Sequence, residues 1–183
     1  MNGKEPTVLV IFGATGDLMR QKLVPALFRL FEKKLLPPAF QIIGFARRDI
    51  SDDAFGQMVK EMIADLRVPP EQARDFVSLF RYQQGFFDQP EGYTNLAKLL
   101  GMENRQWKTC VNKLFYLAVP PEFYKDIFTH ISESGLNQRC GADEGWMRIV
   151  VEKPFGQDLK TAQELDYLLG KIFKEEQDRK SVV

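Results

Sequence analysis

The chain has 183 residues, 44% of them hydrophobic, which is enough to bury the core of one domain. Lysine plus arginine equals aspartate plus glutamate at 25 each, so no net field recruits nucleic acid or an acidic membrane surface. No run approaches the ~20 apolar residues of a membrane span, and the start Met1-Asn2-Gly3-Lys4-Glu5-Pro6 lacks the apolar core of a signal peptide, so a cytoplasmic protein is expected.

The first predicted element is a buried strand, Thr7 to Phe12, that runs straight into a glycine-spaced turn and an amphipathic helix. That junction suits a pyrophosphate. The first backbone N–H groups of a helix have no intrahelical partner, and the aligned peptide dipoles place partial positive charge there. The strict dinucleotide fingerprint asks for glycine at the places held here by Gly13, Thr15 and Leu18, so it fails. What stands is a looser spacing, Gly13, Gly16 and then Met19. It fits a nucleotide better than a kinase-type phosphate loop, since Gly16 is not followed by lysine and serine or threonine. An ordinary strand-to-helix turn is the plain alternative.

Leu23, Ala26, Leu27, Leu30 and Phe31 form the apolar face of the first helix, with a kink or a short first turn expected at Pro25. A second strand, Gln41 to Phe45, leads to Arg47 and Arg48. In a sheet of this kind an acidic residue there meets the ribose of NAD, whereas arginine matches the 2′-phosphate of NADP, so this end favours NADP. Two loop arginines on the surface are the alternative.

Ser51 to Asp53 supply helix-start chemistry, and Phe55, Met58, Val59, Met62, Ile63 and Leu66 keep core spacing. A short helix over 71–80, a polar strand over 81–85 and a helix over about 91–100 follow, with 101–109 expected as loop. The fourth strand is Asn112 to Val119 and stops at Pro120-Pro121. A helix from Pro121 to Ser134 ends at Gly135. His130, the chain's one histidine, lies mid-helix without an evident carboxylate partner and reads as structural. The fifth strand, Met147 to Val151, runs into Glu152-Lys153-Pro154. Lys153 stands where such a sheet binds substrate, able to clamp a phosphate or polarise a hydroxyl; a loop lysine paired with its neighbour is the alternative. Ala162, Leu165, Leu169, Ile172 and Phe173 face inward on a closing helix before a charged tail, Lys174 to Lys180. Strands alternating with helices predict an α/β, Rossmann-like, doubly wound parallel sheet in three αβα layers. Cys110 and Cys140 have no metal-ligand spacing, so no metal is expected; two cysteines suit a reducing compartment, and their pairing stays open.

Four blocks, Gly13-Ala14-Thr15-Gly16-Asp17-Leu18, Gly44-Phe45-Ala46-Arg47, Phe115 to Pro121 and Val151 to Gly156, in this order and spacing, resemble the amino-terminal domain of the glucose-6-phosphate dehydrogenase family. The similarity runs from about Thr7 to Gln177. It implies that Gly13, Ala14, Thr15, Gly16, Asp17, Leu18, Met19 and Arg20 wrap the pyrophosphate of NADP, that Arg47 meets its 2′-phosphate, and that Tyr124 and, more loosely, Tyr82 lie along the cofactor. Lys153 would touch both glucose 6-phosphate and cofactor. The family reaction oxidises glucose 6-phosphate to 6-phosphogluconolactone with NADP, at the entry to the pentose phosphate pathway. Residues 1–183 would be one cofactor domain with a divergent tail at 178–183. The family's sugar-phosphate segment, its base histidine and its second, dimerising domain are not expected in this chain, which would bind cofactor without turnover.

Two other readings remain in view. Tyr167 and Lys171, four apart on a helix, are the spacing of a short-chain reductase or epimerase proton-transfer pair, although they follow the fifth strand and lack the expected serine. A non-catalytic dinucleotide-binding module is the other, and would show a large exposed apolar patch where a second domain docks.

Overall fold

A computed structural model of the chain describes residues 6–138, 145–156 and 158–172. Cys140, Phe173 and the tail from Lys174 onward lie outside the described residues. Five strands form one parallel sheet in the order β3-β2-β1-β4-β5: β1 Thr7–Phe12, β2 Phe40–Ala46, β3 Phe80–Gln84, β4 Asn112–Leu117 and β5 Met147–Val151. The expected three-layer α/β class is observed.

The order follows from β1. All six of its residues are buried, because it is the central strand with a helix layer on each face. Val8, Val10 and Phe12 face one core, completed by α4 (Pro90–Trp107), α5 (Tyr124–Glu133) and α6 (Leu159–Ile172). Leu9 and Ile11 face the other, completed by α1 (Val24–Glu32), α2 (Asp52–Met62) and α3 (Pro70–Val77). After β3 the chain crosses back over the sheet and lays β4 on the other side of β1. A crevice therefore opens beyond the carboxyl ends of β1 and β4, the switch point at which doubly wound sheets take their ligands.

Several sequence boundaries need correction. The segment expected as loop after Leu100 is helix: α4 continues to Trp107, because Glu103 sits on the stripe set by Leu96 and Leu100 and is only 1% exposed. Ahead of α1, Met19–Leu23 form a π-helical turn in which the Val24 N–H donates to the Met19 carbonyl five residues back. Pro25 explains it: with no N–H to give and a ring that crowds the preceding turn, it cannot follow an α-helical turn in regular register. β4 ends at Leu117, two residues early, and Leu66 is 37% exposed in a short 3-10 turn instead of lying in the core. His130 has the carboxylate partner that the sequence did not reveal: its Nδ1 lies 3.1 Å from Glu133 Oε2, one turn on, with the ring against Tyr93.

Candidate functional site

Register aligns the pieces of the site. Gln83, Phe45, Phe12, Leu117 and Val151 form one row across the sheet from β3 to β5. Gly13 is one residue past that row on β1, Arg47 two past it on β2, and Lys153 two past it on β5. With strands about 4.8 Å apart, Arg47 and Lys153 flank the glycine turn from opposite sides, with about 14 Å between their strands.

Gly13 is held in the notch between neighbouring strands. Its N–H donates to the Phe45 carbonyl at 2.9 Å, while the Ala118 N–H donates to the Phe12 carbonyl at 3.0 Å. Its φ of +83° belongs to the left-handed region, and a Cβ there would stand 2.4 Å from the Ala118 carbonyl oxygen. The Gly16 N–H closes the turn on the Gly13 carbonyl at 2.9 Å, and the helical backbone starts at Asp17. Gly16, Asp17 and Arg20 are exposed, and Thr15 and Leu18 are half-buried. Ala14 and Met19 are fully buried, and the Ala14 N–H donates to the Phe45 carbonyl at 3.4 Å. Met19, at the third place of the looser Gly13–Gly16 spacing, fills the α1–α3 core. Unpartnered N–H groups at an open helix start, with two exposed arginines at the next strand end, fit a dinucleotide diphosphate and a further phosphate.

Arg47 and Arg48 are exposed just past β2. Tyr82 does not lie open beside them. Its hydroxyl is 2.9 Å from the Ala46 carbonyl and 2.6 Å from the Arg48 carbonyl, donating its one proton between them. Burial, opposed in part by the Arg48 charge, pushes its hydroxyl up to about 12.

Lys153 is exposed past β5, and the Lys153–Pro154 peptide is cis. Its neighbour Glu152 is engaged elsewhere: the Tyr116 hydroxyl donates to the Glu152 carboxylate, and the Tyr124 hydroxyl donates to the Glu152 carbonyl at 3.3 Å. Burial, and then the bond to Glu152, push the Tyr116 hydroxyl well above the usual tyrosine range. Tyr124, expected along the cofactor, is 0% exposed beneath this turn. Its ring packs against Phe128 while its hydroxyl holds the main chain at Glu152. The grip of Tyr116 and Tyr124 on Glu152 was missed in sequence; both stand in the Phe115 to Pro121 block or just after it, but only the fold brings them to β5.

The reductase alternative finds no geometry. Tyr167 is 66% exposed on α6, with the Lys171 ammonium over its ring face at 4.4 Å. Tyr167 lines a groove between α5 and α6 together with Pro121, Gly156 and Leu165, and Leu159 at the start of α6 is exposed. Among the described residues no cluster of histidine, cysteine or carboxylates gathers to hold a metal ion, and no helix is long and apolar enough to cross a membrane.

A parallel sheet of this order, with a glycine turn opening a helix at its switch point, defines a dinucleotide-binding α/β domain. Residues 10–178 match the family model described as glucose-6-phosphate dehydrogenase, NAD binding domain. The chain belongs to that family. It is 39% identical over 174 residues to glucose-6-phosphate 1-dehydrogenase 2 of Mycobacterium bovis, covering 93% of this chain and 34% of that protein. Against glucose-6-phosphate 1-dehydrogenase of Streptococcus pneumoniae serotype 4 it is 39% identical over 170 residues, with 93% and 34% covered. Among solved structures, a glucose-6-phosphate dehydrogenase in complex with its substrate glucose-6-phosphate superposes with a TM-score of 0.80 at 35% identity, over 95% of this chain and 36% of that one. The Mycobacterium avium enzyme gives 0.79 at 30% identity, over 95% and 35%. The chain thus spans about a third of the length of these relatives.

Proposed function

We propose that this chain binds NADP along the carboxyl edge of its sheet, as the cofactor domain of a glucose-6-phosphate 1-dehydrogenase that converts D-glucose 6-phosphate and NADP+ to 6-phospho-D-glucono-1,5-lactone and NADPH. The observation that carries the reading is Gly13, whose left-handed backbone sits in the β2–β1–β4 notch and aims the following helix start at the crevice. In this reading, main chain from Gly13 to Arg20 receives the pyrophosphate, with Ala14 and Met19 contributing no side chain. Arg47 meets the 2′-phosphate through its planar fork, and with no acidic residue before it at the end of β2, NADP is chosen over NAD. Tyr82 and Tyr124 serve as supports for the loops on either side. Lys153 holds the sugar phosphate against the nicotinamide, which when bound accepts hydride from the sugar carbon. Residues 1–183 act as one domain, and two cysteines in the whole sequence suit the reducing cytoplasm.

Calorimetric titration with NADP and NAD tests this. NADP should bind more tightly, and Arg47→Ala should weaken NADP about 10- to 100-fold while leaving NAD within about twofold, as a charge-assisted phosphate contact requires. Equal affinity for the two dinucleotides in the unaltered chain would remove the assignment.

A further inference from the structure

The carbonyls of Ala46, Arg47 and Arg48 are all bonded from the side of β3. The Gly85 N–H donates to the Ala46 carbonyl at 3.0 Å, the Tyr82 hydroxyl bridges the Ala46 and Arg48 carbonyls, and Gln84 Nε2 donates to the Arg47 carbonyl at 3.4 Å. Three consecutive carbonyls at and just past the end of β2 are thereby held while Arg47 and Arg48 stay exposed. We infer that Tyr82, seconded by Gln84, is a positioning residue for dinucleotide selectivity: it acts through the backbone that carries Arg47 without touching the ligand itself.

The packing beneath Tyr82 explains why it can do this. Gly44 pairs with Tyr82 across the β2–β3 ladder and has no Cβ, and one placed there would meet Phe55 Cζ at 2.4 Å. The Phe55 ring occupies that space, fully buried, and lies 5.1 Å from the Tyr82 ring. Asp52 Oδ1, in the first turn of the same helix, accepts the Tyr82 N–H. Ring and main chain are both set from α2, so the hydroxyl is delivered to the loop with little freedom left. Free arginine forks lose affinity to the ordering they must undergo on binding, and fixing their backbone beforehand reduces that loss. The proton stays on the hydroxyl across the neutral range, so its donation is constant.

This rests on the proposed 2′-phosphate role of Arg47, and a double-mutant cycle separates the two. NADP and NAD affinities are measured for the full chain, for Tyr82→Phe, for Arg47→Ala and for the double variant, with thermal melting of each. Tyr82→Phe keeps the ring and its contact with Phe55, and should weaken NADP about three- to tenfold while leaving NAD within about twofold. In the Arg47→Ala background the same change should have no further effect on NADP. Gln84→Met should repeat the pattern more weakly, within about threefold. Equal loss of both dinucleotides, or an undiminished effect when Arg47 is already gone, overturns the positioning role and leaves the role of Arg47 standing. A full chain that takes up neither dinucleotide overturns both.

Discussion

The Glu103 carboxylate, almost wholly buried near the end of α4, lies 4.0 Å from the Arg81 guanidinium of β3, and Gln41 of β2 stands between them. With its amide turned to suit both neighbours, Gln41 donates to the two Glu103 oxygens at 2.8 and 2.9 Å and accepts from Arg81 Nε at 2.8 Å. A buried charge survives only where partners replace its water, and here an amide and a half-exposed cation do so. Glu103→Ala leaves Gln41 and Arg81 facing an empty site. It should destabilise the fold by about 2–3 kcal/mol, discounted from the fully buried case because Arg81 is 43% exposed. Denaturant unfolding checks this, and an unchanged midpoint would remove the structural role given to the cluster.

The same cluster marks where sequence reasoning loses its grip. Val8 to Phe12 is legible because a strand covered on both faces must be apolar throughout, and the edge strand Met147 to Val151 because four of its five residues are apolar, with Arg148 the exception. Gly101 to Trp107 reads as polar loop because the position that completes the apolar stripe carries a glutamate, and its partners come from β2 and β3, some 20 to 60 residues earlier. The Gly13 turn and Arg47 are legible for the opposite reason: both are local, one set by backbone geometry and one by being the first charge past a strand. The depth of Tyr124 is set by packing against Phe128, which local spacing does not show, whereas the separate turn ahead of α1 agrees with the kink or short first turn that Pro25 implies.

Gly13 and Gly16 look alike in sequence and differ in the fold. A side chain at Gly13 meets backbone at 2.4 Å in a left-handed conformation, whereas at Gly16 the nearest atom is the Gly13 carbonyl oxygen at 3.2 Å. Gly13→Ala should cost about 2–4 kcal/mol and abolish NADP binding with it. Gly16→Ala should melt within about 3 °C of the unaltered chain yet bind NADP more weakly, since its Cβ enters the open mouth of the turn. Thermal shift with and without NADP distinguishes them, and identical behaviour of the two variants would contradict the division of roles.

Four of the five tyrosines are held in their protonated form. Burial raises Tyr82, Tyr93, Tyr116 and Tyr124 above the ordinary value, assisted at Tyr93 by Asp126 and Asp88 and at Tyr116 by Glu152. In the unfolded chain each releases its proton near pH 10, before the folded chain does. The unfolded state therefore binds fewer protons above that pH, and the folded state loses stability from about pH 10 upward, with no contribution from these groups below it. Melting temperature should be flat in this respect up to about pH 9.5 and fall steeply beyond it, with tyrosinate absorbance rising together with loss of structure. Ionisation of these four tyrosines near pH 10 in a chain that stays folded would show that their hydroxyls are not held as described.

Taking hydride from a sugar carbon requires a group to remove the hydroxyl proton, and among the described residues near Lys153 no histidine or carboxylate without a partner is placed to do so. The Glu152 carboxylate accepts from Tyr116, and His130 sits on α5 bonded to Glu133 with its ring against Tyr93. The 183-residue polypeptide should therefore bind NADP and yet form no NADPH from glucose 6-phosphate above background, far below the ~1 to 1,000 turnovers per second of ordinary enzymes. Lys153→Ala should leave NADP affinity within about fivefold, because the diphosphate seat and the Arg47 side are intact, while weakening any glucose 6-phosphate binding that calorimetry detects in the presence of NADP. Steady NADPH formation by this polypeptide would mean that one of its own groups serves as base. Glu152→Gln and His130→Gln would then identify it, since only the true base gives loss of turnover with cofactor affinity unchanged.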